Sequence, residues 1–491
     1  MMPLPLMIIL VGAFVTFLLA RFSGKWKGLV GFTCASITII LAMLSLIPIA
    51  QRIHGGGVMK YPLSAPSFAA AFRFDALSLL LALTALSLGL LVAIFSWRYM
   101  EDDASQERYY PLLLIMLGAI VGISSAGDLF NLWVFFELMA VSSYILVSFR
   151  KDRWEPLEAG FKYLIMSAAG SMMVLLGITV IFGQTGHLDL LMIRGDLAAS
   201  LPIMGAVALF IAGFSVKAAV VPFHTWLPDA HSEAPSGISA MLSGIVIEAG
   251  LFAMLRTLLP LAGLNINIGW ILIALALLSM FVGNIMALAQ TRLKRMLAYS
   301  SVAQMGYIVL GLGIGIQFLE PSGLAGGLFH VMTHAAMKGL AFLGAGIIIH
   351  SIGSGDIGDM SGLSRKMPLL SLCFAVSFLS LAGVPPLSGF MSKWLIYKSG
   401  MVIGGIGYLL SAAAIFNSVF SLGYYLPVLN TFYSQKVAPR VGNARSVSPA
   451  MLLPVVILAL ITILLGVYPE LGLRVAEPAA RYILMFLGGK A

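Results

Sequence analysis

Several ionisable side chains stand inside long apolar runs of this 491-residue chain: Glu137, Lys217, Glu248, His330, His334, Lys338 and Lys393. A charge at the centre of a membrane-crossing helix costs on the order of 3 kcal/mol. Left unpaired, the acidic and lysine groups alone would cost about 15 kcal/mol, comparable to the whole stability of a domain. They must be paired, hydrated or partly neutral, and groups that pass between those conditions take up and release protons. The run HVMTHAAMK sets His330, His334 and Lys338 at i, i+4 and i+8, along one helix face at steps of roughly 6 Å. Imidazole hydrogen-bonds through both nitrogens and changes charge near neutral pH, which suits a relay through a water-lined path. Two histidines at this spacing also fit zinc, but no HExxH glutamate accompanies them and a lysine on the same face opposes a metal, so no metal is expected.

The other candidates each have a plainer reading beside the functional one. Glu137 closes GDLFNLWVFFE, with Asp128 near the edge of the run, and suits a proton carrier or the counter-charge of a lysine; a permanent ion pair is the alternative. Whether Lys217 holds its proton depends on how dry its surroundings are and on whether a carboxylate approaches. Glu248, between Ile247 and Ala249, needs a lysine or a water chain nearby. Lys393 closes VPPLSGFMSK, close enough to the end of its run to snorkel to the surface. His224, Asp229, His231 and Glu233 in PFHTWLPDAHSEAP either receive protons at a channel mouth or form a polar turn that holds helix ends, and they are not counted among the carriers.

The elements that must position these groups are membrane spans. Hydrophobic residues make up 60% of the chain and charged residues 10%, against roughly 25% charged in a soluble domain. Apolar runs of about 20 residues, the length that crosses roughly 30 Å of hydrocarbon, recur throughout. They lie near residues 3–20, 28–50, 76–99, 110–126, 129–150, 160–183, 201–222, 237–259, 268–290, 296–316, 322–349, 368–398, 402–430 and 450–467. The expected fold is therefore an all-α integral membrane protein of about fourteen transmembrane helices. The first run lacks a basic leader and reads as a retained span rather than a signal. No connection is long enough for a soluble domain, so 1–491 reads as a single membrane domain: an N-terminal three-helix segment (3–99), a first repeat (110–259), a second repeat (268–430), and a last helix with its tail (450–491). Residues 473–487, with Pro478, suit a segment lying along the membrane surface.

The formal charge of +9 sits between spans and not in one soluble patch, which excludes nucleic-acid binding. Basic residues are about twice as frequent on one side, which predicts both termini on the outer side of the inner (cytoplasmic) membrane. Cys34 and Cys373 cannot build a disulfide framework or a metal cluster, and no phosphate loop or redox cofactor is signalled. Helix breakers adjoin two of the lysines: Lys217 precedes Pro222, and Gly383, Pro385, Pro386 and Gly389 precede Lys393. Broken helices at corresponding places in two halves point to an inverted-repeat transporter, ordinary proline kinks being the alternative.

The runs GDLFNLWVFFE, KAAVVPFHTWLPDAHSEAP, LKRMLAYSS, HVMTHAAMK and VPPLSGFMSK, taken together over roughly residues 70 to 430, resemble the antiporter-like subunits shared by respiratory complex I, group 4 membrane-bound hydrogenases and Mrp-type cation/proton antiporters. The resemblance implies two inverted five-helix repeats over spans four to eight and nine to thirteen, with the seventh and twelfth helices broken. It implies that Glu137 pairs with Lys217, that the histidines and Lys338 connect the halves, and that Lys393 serves the outlet or passes coupling to the next subunit. The family's eighth span usually carries a lysine where this sequence has Glu248, a departure that bears on charge logic or ion choice. The long C-terminal lateral helix of the largest complex I member is absent from the sequence, so the shorter members match better.

The expected function is proton translocation, or exchange of protons for sodium, by a non-redox subunit of a membrane oxidoreductase complex. Moving a charge against about 150 mV costs roughly 3.5 kcal/mol, and with no cofactor expected in this chain the energy is expected from partners. These are other membrane subunits, further antiporter-like chains among them, and peripheral subunits carrying iron–sulfur centres, all embedded in membrane lipid. The competing readings are an Mrp-type Na+/H+ antiporter subunit driven by an ion gradient, a stand-alone secondary transporter, and a structural subunit whose buried charges do not conduct.

Overall fold

The computed structural model describes residues 2–53, 57–61, 72–103, 105–196, 200–264 and 267–488. Helices α1 (Leu4–Phe22), α2 (Lys27–Ile53), α3 (Ala76–Tyr99), α4 (Gln106–Ser125), α5 (Leu129–Val147) and α6 (Trp154–Thr185) follow one another, then the short α7 (Leu190–Asp196) and the first interrupted pair, α8 (Leu201–Lys217) and α9 (Trp226–Glu233). Next come α10 (Ser236–Met241) and α11 (Ile247–Leu258), joined by a π-helical turn at Leu242–Val246, then α12 (Ile268–Leu288), α13 (Leu293–Phe318) and α14 (Pro321–Ile352). The short α15 (Leu363–Lys366) leads to the second interrupted pair, α16 (Pro368–Ala382) and α17 (Ser388–Ile403). The chain ends with α18 (Ile406–Phe432), the short α19 (Pro439–Gly442), α20 (Pro449–Val467) and α21 (Glu470–Leu487).

Among the described residues, twelve helices are long and apolar enough to cross a membrane, with Ser236–Ala262 counted as one, and α8 and α16 are shorter apolar helices. The all-α membrane architecture expected from the apolar runs is the one observed. The sequence reading gave no strand, whereas a two-stranded antiparallel hairpin, β1 (Met59–Tyr61) with β2 (Phe72–Phe74), pairs Met59 with Phe74 and Tyr61 with Phe72. It falls within the connection read as residues 51–75, of which 54–56 and 62–71 lie outside the described residues. The segment at 473–487 is helical, as part of α21, and packs its apolar face on α14 and α3.

The centre of the molecule is polar chemistry wrapped in apolar packing. The α10–α11 span is wholly enclosed by neighbours, as is α13 from Met296 to Gly315, and α14 runs between α13, α17, α20, α21, α10, α16 and α3. In both interrupted pairs the first half-helix ends in the same way. The N–H of Val220 reaches Ser215 O and that of Ala219 reaches Val216 O, at 3.1 and 3.2 Å; the N–H of Val384 reaches Leu379 O and that of Gly383 reaches Ser380 O, at 2.9 Å each. These are the paired terminal bonds of a left-handed C-cap. Gly383 has φ +82°, the value for which glycine is suited, while Ala219 takes φ +52° with a side chain present. The prolines that follow, Pro222 and Pro385–Pro386, cannot donate the bonds that would continue the helix.

One buried ion pair ties the start of α3 to α11. Asp75 caps α3 by accepting from Ser78 N at 2.8 Å, and Arg256 of α11 grips both Asp75 carboxylate oxygens at 2.9 and 3.0 Å. Both side chains are almost fully enclosed. Removing one partner of such a pair strands the other charge, at a cost of about 3–5 kcal/mol. Asp75→Ala is therefore expected to lower the thermal unfolding midpoint of the detergent-solubilised chain sharply, and the double variant Asp75→Ala/Arg256→Met to recover most of the loss. Equal midpoints for Asp75→Ala and the native chain would remove this pair from the account of stability.

Candidate functional site

The candidate site runs through the middle of the bundle. Lys217 is the last residue of α8, so the break exposes its side chain to the interior of the protein, where it is 1% exposed. Its ammonium donates to Tyr163 Oη at 2.9 Å and to Ser167 Oγ at 3.2 Å, both on α6, and lies over the Tyr163 ring. Tyr163 in turn stacks on Trp226 at 3.9 Å, and the Trp226 indole donates to Val216 O at 2.7 Å across the break. Glu137, one face away on α5, is half-buried and close enough to act electrostatically on Lys217, yet the two form no ion pair, and Glu137 Oε1 is enclosed without a hydrogen-bond partner. The pairing implied by the family resemblance is thus a through-space one here: the hydroxyls of α6 hold the direct contact.

Glu248 is the second residue of α11, just after the π-helical turn. Such a turn inserts an extra residue and re-aims the side chains that follow, and it recurs at functional positions. The re-aimed carboxylate hydrogen-bonds His334 Nδ1 of α14, and both groups are fully buried. Glu248 Oε2 and His334 Nε2 have no protein partner. The His334 and His330 rings lie 6.1 Å apart, one helical turn, as the i, i+4 spacing requires.

His330 is bonded on both nitrogens: Nε2 with Gln304 Oε1 at 3.0 Å and Nδ1 with Ser392 Oγ at 2.8 Å. The Gln304 amide donates its Nε2 to Leu381 O at 2.9 Å, which turns its oxygen toward His330 and so requires the proton on His330 Nε2. Ser392 Oγ has Ser388 O within 3.1 Å as a second destination for its hydrogen. Lys338, one turn beyond His334, donates to Leu297 O at 2.8 Å and hydrogen-bonds Ser300. Lys393 is fully buried on α17, donating to Leu381 O at 2.6 Å and Ser418 Oγ at 3.1 Å, with the Tyr307 ring 4.2 Å away. Snorkelling to the surface, the alternative left open by spacing, is not what this side chain does.

Helix α13 supplies partners that the sequence reading passed over. Leu297, Ser300, Ser301 and Gln304 recur at i, i+3, i+4 and i+7, one face of α13, and α14 runs back along it with Lys338, His334 and His330 in the matching order. That polar stripe inside LKRMLAYSSVAQ was the available signal. The same applies to Tyr163 and Ser167, at i and i+4 on α6.

The group after the first break divides in two. Asp229 binds Lys162 at 3.1 Å and Arg295 at 3.0 Å, Glu233 faces Arg153 at 3.9 Å, and Lys294 donates to Ala234 O and Ser232 O at the end of α9, where a cation complements unpaired carbonyls. This is the helix-holding turn. His231 differs, being fully buried against Phe342 at 4.7 Å with both ring nitrogens lacking a partner, while His224 lies in the break itself. Among the described residues no group of His, Cys, Asp and Glu is placed to hold a metal.

Residues 126–421 match the family model described as NADH:quinone oxidoreductase/Mrp antiporter, TM, and residues 63–110 match that of NADH-ubiquinone oxidoreductase (complex I), chain 5 N-terminus. Subunit N of the F(420)H(2) dehydrogenase of Methanosarcina mazei is 32% identical over 98% of this chain and 97% of its own length. Subunit N of the NADH-quinone oxidoreductase of Desulforudis audaxviator is 31% identical, covering 95% of this chain and 96% of its own. Among solved structures, a chain of the membrane-bound sulfane sulfur reductase, an archaeal respiratory membrane complex, superposes with a TM-score of 0.89 at 28% identity, covering 99% of this chain and 98% of that one. A chain of the Mrp complex from Dietzia sp. DQ12-45-1b gives 0.87 at 24% identity with 99% of both chains covered, a likeness of fold.

The His330–Gln304–Leu381 connection is testable by itself. Gln304→Leu leaves the buried His330 imidazole N–H without its partner, a loss of about 1–3 kcal/mol, while Leu381 O keeps Lys393. The expected result is a lower unfolding midpoint than that of Gln290→Leu, whose side chain is on the surface and whose replacement is expected to change little. Indistinguishable midpoints would show that His330 is not held through Gln304.

Proposed function

This chain belongs to the NADH:quinone oxidoreductase/Mrp antiporter membrane family, and from that premise we propose that it is the antiporter-like, proton-translocating membrane subunit of a multisubunit redox-driven complex. The observation that carries the reading is the series of buried titratable groups from Lys217 through Glu248, His334, His330 and Lys338 to Lys393. Each lysine in it is held by neutral oxygens and none by a carboxylate. A hydroxyl accepts from an ammonium or donates to an amine, so Lys217 keeps both partners whether or not it carries its third proton. The same holds at His330: when Nδ1 gains a proton, the Ser392 hydrogen turns to Ser388 O and no bond is lost. Groups that change charge without losing partners are suited to transient occupancy.

In the proposed sequence, a charge change in a neighbouring subunit alters the electrostatic pull of Glu137 on Lys217. The released proton passes by way of the Glu248–His334 bond toward His330 and Lys338, and Lys393 delivers it or relays the charge change onward. The unpartnered atoms, Glu137 Oε1, Glu248 Oε2 and His334 Nε2, are the places where a water or a moving proton is accommodated at least cost. The chain itself carries no redox centre in this reading; iron–sulfur centres belong to peripheral partners, and further antiporter-like chains lie alongside in the inner membrane. Taking α8–α9 and α16–α17 as one crossing each brings the twelve spans to fourteen, consistent with two inverted repeats and with both termini on the outer side.

Two experiments test this reading. In the purified complex reconstituted into vesicles, Lys217→Ala is expected to reduce proton translocation at least about tenfold, about 1.4 kcal/mol on the transfer barrier, while the electron-transfer subunits remain assembled. Unchanged pumping would sink the relay, and normal pumping in Glu137→Gln/Lys338→Ala would identify a structural subunit. Separately, gentle-detergent purification of the tagged chain with mass spectrometry of its companions is expected to recover iron–sulfur and dehydrogenase-like or hydrogenase-like proteins. Recovery of membrane chains alone would make it part of a gradient-driven Mrp-type antiporter.

A further inference from the structure

A second feature lies away from the relay, at one membrane boundary. Where α15 leads into α16 and the connection after α19 leads into α20, the chain encloses a groove of about 310 Å³. Its rim carries Lys366 and Arg445, and its floor is made by Leu369, Leu370, Val447 and Leu452. Both cations are exposed, and among the described residues neither forms an ion pair. The acids nearest in sequence are engaged elsewhere, Asp359 with Arg440 at 3.3 Å and Asp356 with Arg292 at 3.9 Å. The connection bearing Arg445 is fixed in place, its N–H donating to Ser351 O at 3.0 Å.

Unpaired cations above an apolar floor suit one kind of occupant in a membrane. We propose that this groove binds an anionic glycerophospholipid, with the phosphate between Lys366 and Arg445 and an acyl chain leaving over the leucines. Three observations favour a lipid. The groove is formed by the first turns of two apolar helices, α16 and α20, and therefore lies where hydrocarbon gives way to headgroups. Leu369 in its floor is itself exposed, and Leu372, one turn further along α16, is exposed as well, so a chain can leave the groove into the bilayer over these leucines. The volume fits a glycerophosphate head and the beginning of its chains, with the remainder in the surrounding lipid. Neither α16 nor α20 has a side-chain cap at its N-terminus, which adds a favourable field for the phosphate. A basic cluster at the membrane surface is the expected signature of anionic headgroup recognition.

The test uses the full chain, purified in its complex in mild detergent and examined by native mass spectrometry after exchange into phosphatidylglycerol or phosphatidylcholine. The native protein is expected to retain phosphatidylglycerol in preference to phosphatidylcholine, and Lys366→Gln/Arg445→Gln to reduce that retention about tenfold, in keeping with two lost headgroup contacts. The exposed control pair Lys25→Gln/Lys151→Gln is expected to retain it. Because both rim residues are on the surface, the unfolding midpoint of the double variant is expected to stay at the native value. As a second reading that needs no variant, raised salt is expected to release phosphatidylglycerol from the native protein. Equal retention by the double variant, equal retention of the two lipids, displacement of lipid by inorganic phosphate alone, or cross-linking of position 369 to a partner protein would each overturn the proposal.

Discussion

Inside a hydrocarbon layer no backbone carbonyl can be left to water, and a helix that breaks there must find donors for the carbonyls it frees. Pro385 and Pro386 deprive Leu381 and Ala382 of the N–H groups that an unbroken helix would supply. Leu381 O is taken by Lys393 and Gln304 together, and Ala382 O by Ser418. The lysine is therefore no foreign charge in an apolar span; it is one of the donors that make the break tolerable. The same carbonyl fixes the Gln304 amide, the amide fixes the His330 tautomer, and so backbone satisfaction at the break sets proton positions one helix away.

The first break is solved with different residues to similar effect. Trp226 supplies the crossing donor to Val216 O, and Val221 N donates to Ser279 Oγ at 3.0 Å. Gly250 of α11 lets the span that carries Glu248 approach this break: a Cβ there would sit 2.9 Å from Ala218 N and 3.0 Å from Lys217 Cβ. That closeness sets the span carrying Glu248 against the end of α8 that carries Lys217. The helices that carry the chemistry are consequently the most enclosed ones, while α1, α2, α6 and α18 present broad apolar faces outward.

Much of this was legible in the amino-acid sequence because it is encoded in period and length. The apolar runs located the spans, and Pro222, Pro385 and Pro386 located the breaks, since a missing N–H acts wherever it falls. The i, i+4, i+8 pattern of His330, His334 and Lys338 placed them on one face, and the ring separation agrees. What spacing could not supply was partnership between helices distant in sequence. That Lys217 leans on Tyr163 and Ser167, that Lys393 turns inward to Leu381, and that His231 lies buried behind Phe342 are consequences of which helices become neighbours. The β1–β2 hairpin escaped for another reason: strands of three residues each are too short to show an alternating pattern.

The carboxylate of Glu248 acquires a physical meaning from its neighbours. A cation at this position would face His334 with Lys338 one turn beyond it, adding like charge to a dry interior. A carboxylate instead offers an acceptor. When ionised it can only accept, so it requires the proton of neutral His334 on Nδ1, whereas Gln304 requires that of neutral His330 on Nε2. With Glu248 ionised, adjacent imidazoles are held in opposite tautomers, with Nε2 of His334 and Nδ1 of His330 as the nitrogens open to a new proton. An ionised Glu248 thus does more than set net charge: it decides which atom of the first histidine is available to the second.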